Sequence, residues 1–259
     1  MTVKTNEPWA VFLDIDRTLT VEGHKVPKMN VDAIRAAREA GHKVFINTGR
    51  SWGNIPDVIF EQLEVDGVVA GNGVRVEVGG EAILKHGFDS ALARRVCRFC
   101  MDNGIWCIFE CDKTVFYLPN EQRPPISEDG VVHTLEDFDR FIEGNRVEVF
   151  AAGKIIPQSF IDEFKAEIRV VQFETYADCC AQGFSKATGI ELVLEKTGIP
   201  RECTVAIGDS GNDLEMLNFC KVGVAVANAE KKVLDCADFV TLSHAESGVA
   251  HALKHILKI

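Results

Sequence analysis

The sequence predicts an α/β protein: a Rossmann-like core with a parallel sheet, interrupted by an inserted α+β domain. Near both ends of the chain, short apolar runs alternate with helical patterns, which is typical of right-handed crossovers between parallel strands. In the middle of the chain, strand patterns follow one another in pairs, which indicates a largely antiparallel unit with its own core. We therefore expect the core at residues 1–84 and 185–259, and the inserted domain at residues 85–184.

The first core segment opens with an apolar run, Ala10 to Leu13, that predicts a buried strand. The elements expected after it are a helix at 30–40, a strand at 43–47, a helix at 52–63, a strand at 67–70 and a hairpin at 74–78 and 81–84. The hairpin is predicted because Gly79 and Gly80 favour a tight turn between its strands.

The inserted domain is predicted to hold helices at 91–103, 135–143 and 158–165, and strands at 106–110, 114–118, 146–151 and 168–174. The core pattern then resumes. Its expected elements are helices at 187–197, from 229 and at 248–257, and strands at 204–207, 223–227 and 239–241. We expect the inserted domain to set specificity by closing over the substrate, because nothing else in the chain is large enough to do so.

Composition is that of an ordinary globular protein, with 46% hydrophobic and 26% charged residues. No apolar run reaches the length of a membrane span, and the polar N-terminus lacks a signal segment, so a cytoplasmic protein is expected. The net charge of −11 disfavours nucleic acid and anionic membranes as partners. An anionic substrate would need a site with its own local positive charge.

Nine cysteines allow two interpretations. A zinc site needs paired ligands that converge on one point, but Cys97 and Cys100 fall in a helical pattern while Cys107 and Cys111 fall in a strand. Free cysteine is often buried, and an odd total does not suit a set of disulfides. We therefore favour buried thiols in a reducing compartment over zinc.

Two carboxylates, Asp14 and Asp16, follow the first strand directly. Side chains two residues apart on extended chain share a face, and open α/β sheets bind ligands beyond the carboxyl ends of their strands. Neighbouring carboxylates repel each other unless a cation, a proton or a division of roles relieves them. The pair alone is equally well explained as an acidic turn, so its meaning depends on the rest of the chain.

Three further groups of polar residues stand in the predicted core: Thr48, Gly49 and Arg50; Lys186; and Asp209, Asn212 and Asp213. Taken singly, they have ordinary explanations as a helix cap, a strand-to-helix turn and a solvated lysine. Taken together at one sheet edge, they favour a site for a phosphate ester.

Each group has a chemical use at such a site. Carboxylates at Asp14, Asp16 and Asp209 are hard oxygen ligands that suit Mg²⁺. Either aspartate of the first pair can attack phosphorus to give an acyl phosphate, and the other can pass a proton to the leaving oxygen. Lys186 supplies the positive charge that the chain otherwise lacks, and Gly49 lets backbone N–H groups approach a phosphate oxygen.

These residues resemble the four motifs of the haloacid dehalogenase (HAD) superfamily, in particular its Cof-like phosphatases with a C2 (IIB-type) cap. The matching segments are residues 12–19, 47–50, 183–186 and 208–213. The inserted domain falls between the second and third segments, where such caps belong. The resemblance therefore covers the whole chain.

The resemblance implies a Mg²⁺-dependent phosphatase that hydrolyses a small phosphorylated metabolite through an aspartyl-phosphate. It implies that Asp14 is the nucleophile and Asp16 the general acid/base. The implied metal ligands are Asp14, Asp16 and Asp209. The residues implied to bind the phosphate are Thr48, Gly49, Lys186 and Asn212, with Asp213 and Arg50 in supporting positions. A sugar or polyol phosphate is favoured over a nucleotide because the predicted cap has no basic cluster. We expect a monomer or weak homodimer. A phosphomutase and a non-catalytic phosphometabolite-binding protein are the alternatives.

One residue departs from the family pattern. Arg17 stands where the family normally has glycine, between the second aspartate and Thr18. If the turn there is left-handed, arginine costs on the order of 1 kcal/mol relative to glycine. A guanidinium at this place would also help to attract phosphate.

Overall fold

The structure is a computed structural model that describes residues 7–125 and 129–259; the first six residues, included above in the polar N-terminus, lie outside it. The chain divides into two compact units. The core unit comprises Met1–Thr48, Pro56–Leu84 and Ser185–Ile259, and the cap unit comprises Gly49–Ile55 and Lys85–Phe184. The sequence did not indicate that Gly49–Ile55 belongs with the inserted segment.

The core unit contains a mixed sheet with the order β13-β12-β11-β1-β2-β3-β4-β5. Its strands are β1 (Ala10–Leu13), β2 (Lys43–Asn47), β3 (Gly67–Ala70), β4 (Arg75–Val78), β5 (Glu81–Lys85), β11 (Thr204–Gly208), β12 (Val222–Ala225) and β13 (Phe239–Val240). Neighbours from β13 to β3 pair in parallel, and β4 pairs antiparallel to β3. The predicted fold class is confirmed.

The central strands are apolar because both of their faces are covered. Every residue of β1 and of β11 is buried, as expected for strands in the middle of a parallel sheet. The core helices are α1 (Lys28–Glu39), α2 (Asp57–Gln62), α6 (Lys186–Thr197), α7 (Leu214–Phe219), α8 (Lys231–Leu234) and α9 (Gly248–Leu257). None of the described helices has the length and apolar character needed to cross a membrane.

The helix predicted at residues 52–63 is wrong in its first half. Trp52–Asn54 forms a short 3-10 turn, and α2 begins only at Asp57, with Pro56 as its N-cap residue. Proline lacks the N–H that a helix interior requires and disfavours helical backbone at the residue before it. The two pieces also belong to different units, since the division falls after Ile55.

The cap unit contains a five-stranded antiparallel sheet with the order β7-β6-β8-β10-β9. Its strands are β6 (Cys107–Cys111), β7 (Val115–Leu118), β8 (Val147–Ala152), β9 (Ile168–Gln172) and β10 (Ala177–Ala181), and its helices are α3 (Ser90–Asp102), α4 (Leu135–Ile142) and α5 (Gln158–Phe164). The sequence analysis missed β10. Its sequence, ADCCA, lacks β-branched and aromatic residues, so the strand depends on pairing with β8 and β9 on both sides.

Aromatic side chains join one face of the cap sheet to its helices. Phe109 on β6 packs against Phe138 of α4 with ring centroids 4.9 Å apart, and Phe150 on β8 packs 6.3 Å from Phe160 of α5. All nine cysteines are free, and all but Cys236 are buried. Burial raises the pKa of Cys97 to about 12, which keeps this thiol protonated.

Candidate active site

The first carboxylate is set at the sheet edge by strand pairing that continues one residue past β1. The backbone N–H of Asp14 donates to the carbonyl of Ile207 over 3.1 Å, so the side chain emerges where β1 and β11 end. A tight turn at Ile15–Leu19 follows, and it is closed by the hydroxyl of Thr20, which donates to the Ile15 carbonyl over 2.9 Å. Within this turn Arg17 has φ +59°, which is the left-handed conformation considered above.

In the loop that follows β11, the side chain of Asp213 folds back toward the first residues of the same loop. One carboxylate oxygen of Asp213, Oδ2, accepts the backbone N–H groups of Asp209 and Ser210, both over 2.9 Å. Gly208 makes this return possible, because a Cβ there would lie 2.5 Å from the Asp213 carboxyl carbon. Asp213 therefore orients the loop that carries Asp209.

Lys186 is the first residue of α6 and is fully buried. The preceding residue, Ser185, caps the helix by accepting the N–H of Thr188. The ammonium nitrogen of Lys186 donates to Oδ1 of Asp14 over 2.6 Å and to Oδ1 of Asp213 over 2.5 Å. The backbone of Gly73 lies close to the start of this helix. A Cβ on Gly73 would lie 2.2 Å from the Ser185 carbonyl oxygen, so a larger residue would clash there.

Negative charge is in excess at this place. Burial raises the pKa of Asp14 well above its ordinary value against the attraction of Lys186, and the neighbouring aspartates raise it further. The pKa of Asp209 is raised to about 7, first by burial and then by Asp213. Burial alone would lower the pKa of Lys186, but the charges of Asp14 and Asp213 outweigh it and hold that pKa above its usual range.

The carboxylates of Asp14, Asp209 and Asp213 each place an oxygen within 4.8 Å of the others, and they form the one such acidic group found in the described part of the chain. Both oxygens of Asp213 already have partners. In contrast, Oδ2 of Asp209 is buried with no hydrogen-bond partner among the described residues, while its Oδ1 accepts the hydroxyl of Thr18 over 3.2 Å. An unsatisfied buried carboxylate oxygen is suited to a hard cation such as Mg²⁺.

A second group of polar side chains lies at the ends of β2 and β3. The N–H of Thr48 donates to the Val69 carbonyl over 2.9 Å, and the Thr48 carbonyl accepts the N–H of Asn72 over 3.1 Å. The side chain of Asn72 accepts a hydrogen bond of 3.2 Å from Asn212. Thr48 and Asn212 are thus linked through Asn72, a residue that the sequence analysis did not single out.

The position of Asn72 carried a usable signal. Like Asp14 and Thr48, it follows an apolar strand of the parallel sheet almost directly. Its backbone is left-handed, with φ +54°, a conformation that asparagine tolerates better than most residues. The side-chain nitrogen, Nδ2, is buried without a hydrogen-bond partner among the described residues, so Asn72 has a donor to offer.

Gly49 and Arg50, predicted to bind and support the phosphate, belong to the cap unit. The Arg50 guanidinium donates to the carbonyl of Asn54 over 3.1 Å. Two glutamates of the cap sheet hold the residues that follow. The N–H of Ser51 donates to Glu110 over 3.0 Å, and the N–H of Trp52 donates to Glu148 over 2.8 Å. Sequence analysis missed both glutamates, because nothing in a strand sequence indicates which distant N–H groups it will meet.

The family model for haloacid dehalogenase-like hydrolases matches residues 11–253, so the chain belongs to this family. It is 28% identical to a phosphoglycolate phosphatase of Methanothermobacter thermautotrophicus, over 96% of this chain and 98% of that protein. It is 25% identical to 5-amino-6-(5-phospho-D-ribitylamino)uracil phosphatase YitU of Bacillus subtilis, over 98% of this chain and 99% of that protein. Within the family, the chain is a phosphoric monoester hydrolase.

Solved structures agree with this assignment. A sugar phosphatase of HAD subclass IIB superposes with a TM-score of 0.80 and 30% identity, covering 95% of this chain and 98% of that one. A phosphatase of Bacteroides thetaiotaomicron, BT1666, superposes with a TM-score of 0.81 and 26% identity, covering 96% of this chain and 94% of that one. The predicted membership among Cof-like HAD phosphatases is therefore confirmed.

Proposed function

We propose that this protein is a Mg²⁺-dependent phosphatase that hydrolyses a sugar or polyol phosphate through an aspartyl-phosphate on Asp14. One observation carries the proposal: a fully buried lysine, Lys186, bridges Asp14 and Asp213 beside a third carboxylate, Asp209, that has an unsatisfied oxygen. Such an excess of buried negative charge is costly unless a cation relieves it during function.

The residues present fit a divalent cation. Asp14 and Asp209 would hold it with their side chains and Asp16 with its backbone carbonyl, while Asp213, whose oxygens are already engaged, would orient Lys186 and the Asp209 loop. When bound, Mg²⁺ screens the charge between the attacking carboxylate and the phosphate and polarises a phosphoryl oxygen. The donor set consists of oxygen atoms, which favours Mg²⁺ over Zn²⁺.

The chain's own residues would carry the bond changes. A carboxylate oxygen of Asp14 attacks phosphorus as the bond to the leaving oxygen breaks, and Asp16 gives that oxygen a proton. Water then attacks the phosphorus of the acyl phosphate and gives its proton to Asp16, which regenerates Asp14 and releases phosphate. Lys186 holds Asp14 in place throughout, and Thr48 and Asn212 would donate to the phosphoryl oxygens.

The substrate class is supported by charge and by likeness. The chain has a net charge of −11, which disfavours leaving groups that carry further negative charge. A solved relative is described as a sugar phosphatase, and YitU is named for a substrate, 5-amino-6-(5-phospho-D-ribitylamino)uracil, whose phosphate is carried by a ribityl group. These observations support a neutral sugar or polyol leaving group.

The test is phosphate release from a panel of phosphorylated metabolites, measured with Mg²⁺ and again after exhaustive chelation. We expect sugar and polyol phosphates to be turned over with Mg²⁺ and not without it. Full activity after chelation would contradict the metal requirement. An isomerised product in place of free phosphate would identify a phosphomutase, and binding without turnover a non-catalytic protein. Beryllium fluoride should form its adduct on Asp14, visible in a crystal structure.

A further inference from the structure

Arg17 is held in its left-handed conformation by a neighbour from another part of the core. The side-chain nitrogen of Asn228 donates to the Arg17 carbonyl over 2.9 Å, and the Arg17 guanidinium donates from Nη2 to the Asn228 carbonyl over 3.2 Å. Asn228 is itself fixed, since its Oδ1 accepts the N–H of His244 over 2.9 Å. An arginine in this backbone conformation is strained relative to glycine. The surrounding bonds therefore specify both the turn and the direction of the side chain.

The guanidinium lies against the carboxylate that would bind metal. Its Nε is 3.7 Å from Oδ2 of Asp209, the oxygen that has no hydrogen-bond partner in the part of the chain that the structure describes. The side chain of Arg17 is 63% exposed and that of Asp209 only 2%, so the pair joins a mostly exposed guanidinium to a buried carboxylate. A distance of 3.7 Å is an ion pair without a hydrogen bond. The contact is electrostatic and leaves the oxygen available.

A divalent cation at Asp209 would meet this positive charge at close range. Like charges a few ångströms apart repel, and water screens this repulsion poorly on the side of Asp209, which is only 2% exposed. The cation can bind well only if the guanidinium moves away from Asp209, and the exposed side chain has the freedom to do so once water replaces the Asn228 carbonyl as its hydrogen-bond partner. Lys186 does not have this freedom, because it is fully buried between Asp14 and Asp213.

We propose that Arg17 is a built-in competitor for the metal: its guanidinium pairs with Asp209 when no divalent cation is bound, and it must withdraw before the cation binds. This inference rests on the proposed metal-dependent function and adds a specific consequence. The protein binds divalent metal more weakly than it would with glycine at position 17. Its activity would then respond to metal concentration over a range in which a chain with glycine is already saturated.

The experiment measures Mn²⁺ and Mg²⁺ affinity of the metal-free full chain by calorimetry, without substrate. Arg17→Ala removes the charge and keeps the backbone strain, whereas Arg17→Gly removes both. We expect about tenfold tighter metal binding in both variants. Arg17→Lys, which keeps a positive charge, should remain close to the wild type. Arg140→Ala is the matched control, since it makes the same change in net charge at an exposed pair with Asp137 in the cap unit.

The outcomes separate the possible causes. If backbone strain alone mattered, Arg17→Gly would raise both the melting temperature and the metal affinity, whereas Arg17→Ala would leave the metal affinity unchanged. That result would show that the competitor role is wrong. Unchanged or weaker affinity in both variants, with a wild type that binds metal, would overturn this inference and leave the proposed function intact. If neither the wild type nor any variant binds metal, the metal dependence in the proposed function falls and this inference with it.

Discussion

Two groups of carboxylates in this protein differ in how completely they are satisfied. In the core unit, Asp14 and Asp209 stand beside Asp213 and the buried ammonium group of Lys186, and one oxygen of Asp209 has no hydrogen-bond partner among residues 7–125 and 129–259. In the cap unit, Glu110 and Glu148 each accept a backbone N–H from the chain segment just after Thr48. The core carboxylates retain capacity for a ligand, whereas the cap carboxylates use theirs to hold the chain.

The comparison shows why a buried acid does not by itself identify a catalytic residue. Burial raises the pKa of Glu110 as it raises that of Asp14, yet the two carboxylates do different things. What distinguishes them is the partner: Glu110 accepts the backbone N–H of Ser51, while Asp14 accepts a hydrogen bond from the charged ammonium group of Lys186. Perturbed pKa values therefore need geometry beside them before they indicate function.

The largest effect is expected when the core cluster loses its proposed nucleophile. Asp14→Asn removes the attacking oxygen's charge and should lower kcat by several orders of magnitude, because the proposed aspartyl-phosphate forms on this carboxylate. The measurement is phosphate release on the best substrate, with circular dichroism to check the fold. Asp32→Asn is the control, an exposed aspartate on α1 that pairs only with Lys28 among the contacts described. An Asp14→Asn enzyme that keeps a few per cent of kcat would remove Asp14 from this role.

The second effect is on stability in the core. Lys186→Met leaves Asp14 and Asp213 buried without their shared cation, so the free energy of unfolding of the metal-free protein should fall by about 3–5 kcal/mol. Lys196→Met is a matched control on the same helix, where an exposed pair with Glu81 should contribute no more than ~1 kcal/mol. Urea unfolding measures both. Equal losses in the two variants would mean that the buried bridge does not stabilise the fold.

The cap cluster should respond more moderately. Glu148→Leu leaves the N–H of Trp52 without its acceptor and should cost about 1–3 kcal/mol of unfolding free energy. Glu148→Gln keeps an acceptor oxygen at nearly the same place and should lose less. Because Trp52 follows closely after Thr48 in the chain, kcat should fall with Glu148→Leu more than with Glu148→Gln. If the two variants are equally stable and equally active, the glutamate does not hold this segment.

The smallest expected effect is a pH dependence of the unfolding free energy that comes from Glu110. Burial raises its pKa in the folded protein above the ordinary value of 4.5, although the N–H of Ser51 partly opposes this. The folded state then binds a proton more tightly than the unfolded state, so this group's stabilisation is complete below about 4.5 and is lost as pH rises through its folded pKa. Glu110→Gln should remove this change of the unfolding free energy with pH. Identical stability curves for the variant and the wild type from acid to neutral pH would contradict the assignment.

The sequence by itself determined the class of fold and indicated most of the candidate reacting groups. Apolar strands that end in polar residues are local features, and the parallel sheet brings those ends to one edge whatever the loops do. That is why Asp14, Lys186, Asp209 and Asp213 could be predicted to lie together, as the structure places them. The membership in the HAD family followed from the same segments.

The tertiary structure decided what depends on contacts between distant segments. Strand β10 is stabilised by its neighbours rather than by its own residues, so its sequence does not predict it. Which carboxylate oxygens of Asp209 and Asp213 have partners among the described residues is decided by the fold. Likewise, only the structure shows that Arg17 lies near Asp209 and that Asn228, more than two hundred residues away in the chain, hydrogen-bonds to both its carbonyl and its guanidinium. Local sequence specifies which chemistry is present, and packing specifies which atoms remain free to use it.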